Sequence, residues 1–321
     1  MAKYLGFDIG GTKSAVVLGD ETGAVLHRTA IATAGPAETL AQLFDAAEPF
    51  AAEAASAGIS CGGPLDEAAG VILSPPNLPG WDRVEIVRMI RERFGRPARL
   101  CNDANACALA EWRFGAGQGS RSMAFLTFGT GLGAGLILDG RLYTGVNGNA
   151  GEIGHIRMAR FGPVGYGKEG SLEGFVSGSG LAQTGRTAAL ELLQRGQAPA
   201  YCKSMADLDT VTAKTIADAA DAGDPTAIEV YRRCGERLGE GLSILVDLLN
   251  LDRIVIGSIF QRSENLLRPA MEAAMQRECL PEALRAVQVV PAALGNRIGD
   301  LAALSLAMEI DAAPGEGKEL Q

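Results

Sequence analysis

Four short stretches of this chain set chemically capable side chains among glycines. Asp8-Ile9-Gly10-Gly11-Thr12-Lys13 puts a carboxylate at the end of an apolar run, then two residues without a Cβ, a hydroxyl and a cation. Gly129-Thr130-Gly131-Leu132-Gly133 repeats the glycine density. Asn102-Asp103 stands between RPARLC and DANACALAEWRFG, and Gly151-Glu152-Ile153-Gly154-His155, followed by Glu173, brings two more carboxylates and an imidazole.

Glycine lets backbone N–H groups approach an anion, so both glycine turns suit nucleotide phosphates, although Gly-Gly also occurs in plain hairpin turns. The letters from Gly129 to Ala134 satisfy the loose dinucleotide pattern, but the segment after them, GLILDGRLY, has strand character where that pattern needs a helix. No G-x-x-x-x-G-K-[ST] occurs, which excludes a P-loop. Asn and Asp are good helix caps, and Asp103 at a helix start is expected to stay ionised because the helix dipole favours the anion. An ionised Asp is a weak base, yet phosphoryl transfer needs only an acceptor that orients the hydroxyl and takes its proton late. Asp8 suits placement of Mg²⁺ on phosphates, through water. Glu152, His155 and Glu173 offer the fixed polar groups that recognise several sugar hydroxyls, or are solvated surface groups.

These residues need elements to hold them. KYLGFDI, SAVVLGD and AVLHRTAI read as three meandering strands, followed by helical spacing in ETLAQLFDAAEPFAAEAASAG and in VEIVRMIRERFG. About 120 residues on, SMAFLTFGTGLGAGLILDGRLYTG repeats the strand, glycine turn, strand, turn, strand grammar. This self-similarity predicts two lobes of one plan with facing glycine turns. The remainder reads as mainly helical: SLEGFVSGSGLAQTGRTAALELLQRG, TAIEVYRRCGERLGEGLSILVDLLN before the strand RIVIGSI, and a last helix from Gly299 to Ile310. The tail APGEGKELQ is expected to be disordered.

At 321 residues the chain has room for two lobes and a cleft. Its formal charge of -9 argues against nucleic acid as a partner. No signal pattern opens the chain and no apolar run is long enough to span a membrane, so a cytoplasmic location is expected. The six cysteines, at 61, 101, 107, 202, 234 and 279, form no CxxC pair and read as reduced core residues.

Taken together the motifs resemble the ROK family (repressors, open reading frames and kinases), within the actin, hexokinase and heat-shock chaperone superfamily. DIGGTK, NDANACALAE, TFGTGLGAGLILDGRLYTG and AGEIGHI occur in family order and spacing across nearly the whole chain. The resemblance implies an α/β fold of two ribonuclease-H-like lobes around a central cleft. Residues 1–115 would form the small lobe, with 299–321 returning to it, and 116–298 the large one. It implies ATP and Mg²⁺, a sugar acceptor and a homodimer or homotetramer, with phosphorylation of a hexose hydroxyl, O6 of glucose first. Asp103 would be the catalytic base. Asn77, Asn102, Glu152, His155 and Glu173 would bind the sugar. Gly10, Gly11, Thr12 and Lys13 match the first phosphate loop, and Gly129, Thr130 and Gly131 the second. Gly257 resembles the adenosine-side turn, where the family usually has a glycine pair and this chain has Ser258.

Two departures stand out. Family members commonly carry C-x-C-G-x-x-G-C-x-E after the GH segment, for a structural zinc. Here Val164, Tyr166 and Ser171 take the three Cys positions, so no structural zinc is expected and the Glu173 loop must be held by packing and hydrogen bonds. The stretch from Ser60 to Leu65 reads as a variant of the usual Gly-Pro-Gly turn. Two rival readings are a sugar-responsive regulator and a sugar-binding protein without turnover. The first would need an N-terminal helix-turn-helix, for which a strand starting near residue 4 leaves no room.

Overall fold

The computed structural model describes residues 1–312, so the tail APGEGKELQ lies outside the described residues. In chain order the elements are β1 (Lys3–Ile9), β2 (Lys13–Asp20), β3 (Val25–Ala32), α1 (Pro36–Ala51), β4 (Ser56–Cys61), β5 (Leu65–Asp66), β6 (Val71–Ile72), α2 (Ile86–Phe94), β7 (Ala98–Asn102), α3 (Asp103–Phe114), β8 (Met123–Phe128), β9 (Leu132–Leu138) and β10 (Arg141–Tyr143). There follow β11 (Val164–Gly165), β12 (Lys168–Glu169), α4 (Leu172–Phe175), α5 (Gly178–Gln194), α6 (Ala213–Asp221), α7 (Pro225–Leu249), β13 (Arg253–Ile256), α8 (Ile259–Glu278), α9 (Pro281–Ala286), β14 (Gln288–Pro291) and α10 (Ile298–Ala312).

Two five-stranded sheets share one plan, in the orders β3-β2-β1-β4-β7 and β10-β9-β8-β13-β14. In each, a three-stranded antiparallel meander continues into two parallel strands. That duplicated arrangement is the two-lobed ribonuclease-H-like α/β fold, and the repeated strand and turn grammar of the sequence is its signature.

Helical spacing had suggested a helix running on toward Gly58, but α1 stops at Ala51 and Ser56–Cys61 is a fully buried interior strand. The reason is tertiary. A Cβ on Gly58 would lie 2.0 Å from the carbonyl oxygen of Ala303, so α10 rests on the bare backbone of β4. The stretch read as one helix from Ser171 is two, because Ser177 leaves the helical conformation and its side chain caps α5 by accepting the N–H of Gly180.

α3 and α10 are buried between the sheets. Leu301 to Ala307 are all sealed from solvent, as befits a helix apolar all round. One core cluster joins both helices to Tyr4 and Val17 of the first sheet and to Met123, Phe125, Ile137 and Val255 of the second. α3 is pinned at both ends. At its start, a Cβ on Gly135 of β9 would sit 2.5 Å from the Ala104 carbonyl. At its end, the fully buried Glu111 accepts the N–H groups of Ala116 at 2.8 Å, Ala293 at 3.0 Å and Leu294 at 3.0 Å.

Candidate active site

β7 ends and α3 begins at the pair Asn102-Asp103. The Asn102 side chain accepts the N–H of Ala104 at 2.9 Å, and Asp103 Oδ1 shares that donor at 2.8 Å. Capping thus uses one oxygen of Asp103. The side chain reaches solvent through the cleft, yet the protein around it is dense enough that desolvation pushes its pKa above the ordinary carboxylate value, with the Ala104 N–H opposing. Desolvation thus works against the helix start, and the direction of the shift does not conflict with an Asp103 that is ionised near neutral pH.

Three hollows run in series past this point. The first, about 370 Å³, is bounded by Asn102, Glu152, His155 and Glu173 and, on the facing wall, by Gly63, Pro64, Leu65 and Glu67. The second, about 410 Å³, holds Asp103 together with Asn77, Asn102, Glu152, Glu173 and the turn Gly129–Gly131. The third, about 610 Å³, starts at Gly129 and Thr130 and extends past Ser258 to Lys214 and Arg262. Each shares residues with the next, so they form one trench with Asp103 in its middle section.

The sugar candidates Asn77, Asn102, Glu152, His155 and Glu173 therefore line one continuous surface. Glu173 does more than face it. Its Oε2 accepts the N–H of Leu132 at 2.9 Å, tying the α4 start to the second glycine turn. The Glu152 pKa is raised by burial first and by Glu173 next, with His155 opposing, as two carboxylates facing one pocket require.

The Glu173 loop is held without cysteines. Ser171 Oγ caps α4 by accepting the Gly174 N–H at 3.2 Å, Leu172 N–H donates to Ile156 O at 2.8 Å, and Lys168 Nζ donates to His155 O at 2.6 Å. At the β11–β12 turn, Tyr166 sets its ring edge-to-face with His155 at 6.4 Å, orienting the imidazole by contact.

The first glycine turn is placed differently. Gly10, Gly11, Thr12 and Lys13 are not walls of the three hollows; Gly11 backs onto Asn77, where a Cβ would lie 2.5 Å from the Asn77 carbonyl. Asp8 ends β1 against Gly299 at the start of α10, and burial, then Asp300, then Asp103 push its pKa up to about 6. Gly257 is buried, and Ser258 is the residue that lines the third hollow, at φ +57°, a conformation that glycine adopts without strain. Residues that sequence reading passed over also face the trench: Glu67, Asn147, Asn149 and Tyr166 in the first hollow, Lys214 and Arg262 in the third. Only Tyr166 carried a signal, as the occupant of an expected Cys position.

Among the described residues no helix is long and apolar enough to cross a membrane, and no group of three or more His, Cys, Asp or Glu side chains could hold a metal ion. Asp8 still fits a hydrated divalent cation whose other ligands come from phosphates, because a carboxyl crowded by Asp103 and Asp300 is stabilised as an anion by added positive charge.

Residues 4–310 match the ROK family, and the chain belongs to it. It is 31% identical over 318 residues to a glucokinase of Streptomyces coelicolor, covering 97% of this chain and 99% of that protein. The crystal structure of a ROK family glucokinase from Streptomyces griseus in complex with glucose and AMPPNP superposes with a TM-score of 0.75 at 30% identity, covering 96% of this chain and 100% of that one. The Escherichia coli transcriptional regulator NagC is 32% identical over 274 residues, 84% of this chain and 64% of its own length. The fold is accordingly that of the actin and hexokinase group.

Proposed function

We propose that the protein is an ATP-dependent sugar kinase that phosphorylates a hexose hydroxyl, with O6 of glucose as first choice and Asp103 as general base. The observation that carries this reading is the trench. Its sugar-sized end is rich in acceptors, its far end starts at a glycine turn, and the Asp103 carboxylate stands between them. The similarity to glucokinases supports the same reading.

In this mechanism Asn102, Glu152, His155 and Glu173 fix the hexose so that one hydroxyl points at Asp103. Backbone N–H groups of the second glycine turn take the phosphates, joined in the family pattern by the first glycine turn and Lys13, which lie outside the three hollows here, and the third hollow takes the adenosine. Mg²⁺, placed by Asp8 through water, neutralises phosphate charge. Asp103 orients the attacking oxygen and accepts its proton late, a task eased by its raised pKa. Glu173 accepts the Leu132 N–H with one oxygen, so a sugar held by the other would also steady the glycine turn.

The test is ADP release from Mg-ATP with glucose, mannose, N-acetylglucosamine, N-acetylmannosamine, fructose and allose, run beside Asp103→Asn. Sugar-dependent turnover that falls at least about 100-fold in the mutant, with sugar binding kept, is the expected result. The relation to NagC leaves open a second reading, a sugar-binding or sugar-sensing protein without turnover. That reading predicts sugar binding with no ADP release in either protein.

A further inference from the structure

Glu67 lies on the short β5–β6 hairpin, in a stretch where neither the glycine motifs nor the family pattern marks a functional residue. The fold brings it to the catalytic turn. Its Oε1 accepts the backbone N–H of Asn102 at 2.9 Å, one residue before Asp103. Its carboxyl also faces the loop on the other side of the trench, where a Cβ on Gly148 would lie 3.3 Å from Glu67 Cδ. Glu67 is half-buried and bounds the same hollow as Glu152, His155 and Glu173, from the opposite wall.

A carboxylate is an acceptor with room for about four hydrogen bonds. One is used by Asn102, and the Cys101 thiol borders the group as a further neighbour. Capacity remains for a donor in the hollow. Asn147 and Asn149, on either side of Gly148, line the same hollow, so this end of the pocket is built to grip a polar ligand. We infer that Glu67 is an additional sugar-recognition residue: it holds Asn102 with one interaction and accepts a hydroxyl of the bound sugar, other than the phosphorylated one, with another. The inference deepens the sugar-kinase reading and rests on its sugar site. It makes Glu67 a specificity residue supplied by the separate β5–β6 hairpin, across the hollow from Glu152, His155 and Glu173.

Glu67→Gln separates the two roles. The amide oxygen can still accept the Asn102 N–H, while the other position becomes a donor and no longer accepts the sugar hydroxyl. Calorimetry with the sugar panel, without nucleotide, and separately with AMPPNP, reads both ligands on the parent and the variant, with thermal melting to confirm folding. The expected result is sugar affinity weakened about 10-fold or more with AMPPNP affinity within about 2-fold. A set of deoxy sugars supplies a second readout: for the hydroxyl that Glu67 accepts, its removal and the Gln substitution should not add.

Parent-like sugar affinity in Glu67→Gln, equal weakening of sugar and AMPPNP, or full additivity with every deoxy sugar would overturn the inference. A parent that binds no sugar overturns both this inference and the kinase reading. A parent that binds sugar, loses it in Glu67→Gln and never releases ADP sinks the kinase reading alone.

Discussion

Glu111 offers a stability test whose size follows from the structure. Its carboxylate is fully buried and accepts three backbone N–H groups, from Ala116, Ala293 and Leu294, of which the last two lead into α10. Glu111→Ala strands all three donors. A buried donor left without a partner costs roughly 1–3 kcal/mol; the Leu294 donor is buried and the other two bonds are partly so, which puts the loss at about 3 kcal/mol. With an unfolding entropy of about 2.1 cal/mol/K per residue, 3 kcal/mol lowers the melting temperature of a chain this long by about 4–5 °C. Glu111→Gln keeps one acceptor oxygen for the Ala293 and Leu294 donors but turns an NH₂ toward Ala116. It should lose about 1–2 kcal/mol, placing it between parent and Ala. Thermal and urea unfolding of the three proteins read the order directly. An Ala variant within about 1 kcal/mol of the parent, or a Gln variant as unstable as Ala, would refute the idea that this carboxylate clamps the end of α3 to the start of α10.

Further outcomes follow from the same geometry. Because burial raises the Asp103 pKa, and Asp103 must be unprotonated to accept a proton, kcat/KM should fall on acidification through a pKa above that of a free Asp; a full rate persisting to pH 4 would contradict this. The stability sign follows from the same shift: a raised carboxyl pKa favours folding below the unfolded value, and that contribution is lost as pH rises through the folded value. Asp103→Asn should therefore melt higher than the parent near neutrality and alike near pH 3.5, as differential scanning calorimetry can check. Gly58→Ala sets a methyl 2.0 Å from the Ala303 carbonyl oxygen and 2.6 Å from the Ala307 nitrogen, where only backbone could give way. A loss of about 1–3 kcal/mol or more is expected in urea unfolding, and a parent-like midpoint would show that α10 can shift off the strand.

The legible part of this protein was local grammar. Two meanders, each with a glycine turn between its first two strands, can be read from alternating apolar positions, and so can α3 with its Asn102 cap. Long-range packing wrote the rest. β4 looked like the end of a helix because its small residues answer to α10, some 250 residues away. Ser258 was visible as an odd residue in a glycine position, but its left-handed backbone was not. Asp103 was found by motif, while the desolvation that raises its pKa was not legible, since the helix start is local and the walls that desolvate it are not. Glu67 and Glu111 were silent because a Glu in sequence reads as solvated surface until a fold aims backbone N–H groups at it.

The seam between α10 and β4 also bears on how the chain is made. Ser56 Oγ donates to Ala307 O at 2.8 Å, and Gly58 lies bare against Ala303. Strand β4 of the first sheet therefore lacks its cover until residues near 307 leave the ribosome, after every strand of the second sheet has emerged. The sheet translated first is covered last, so a nascent chain stalled before α10 would expose the back of that sheet to any chaperone within reach.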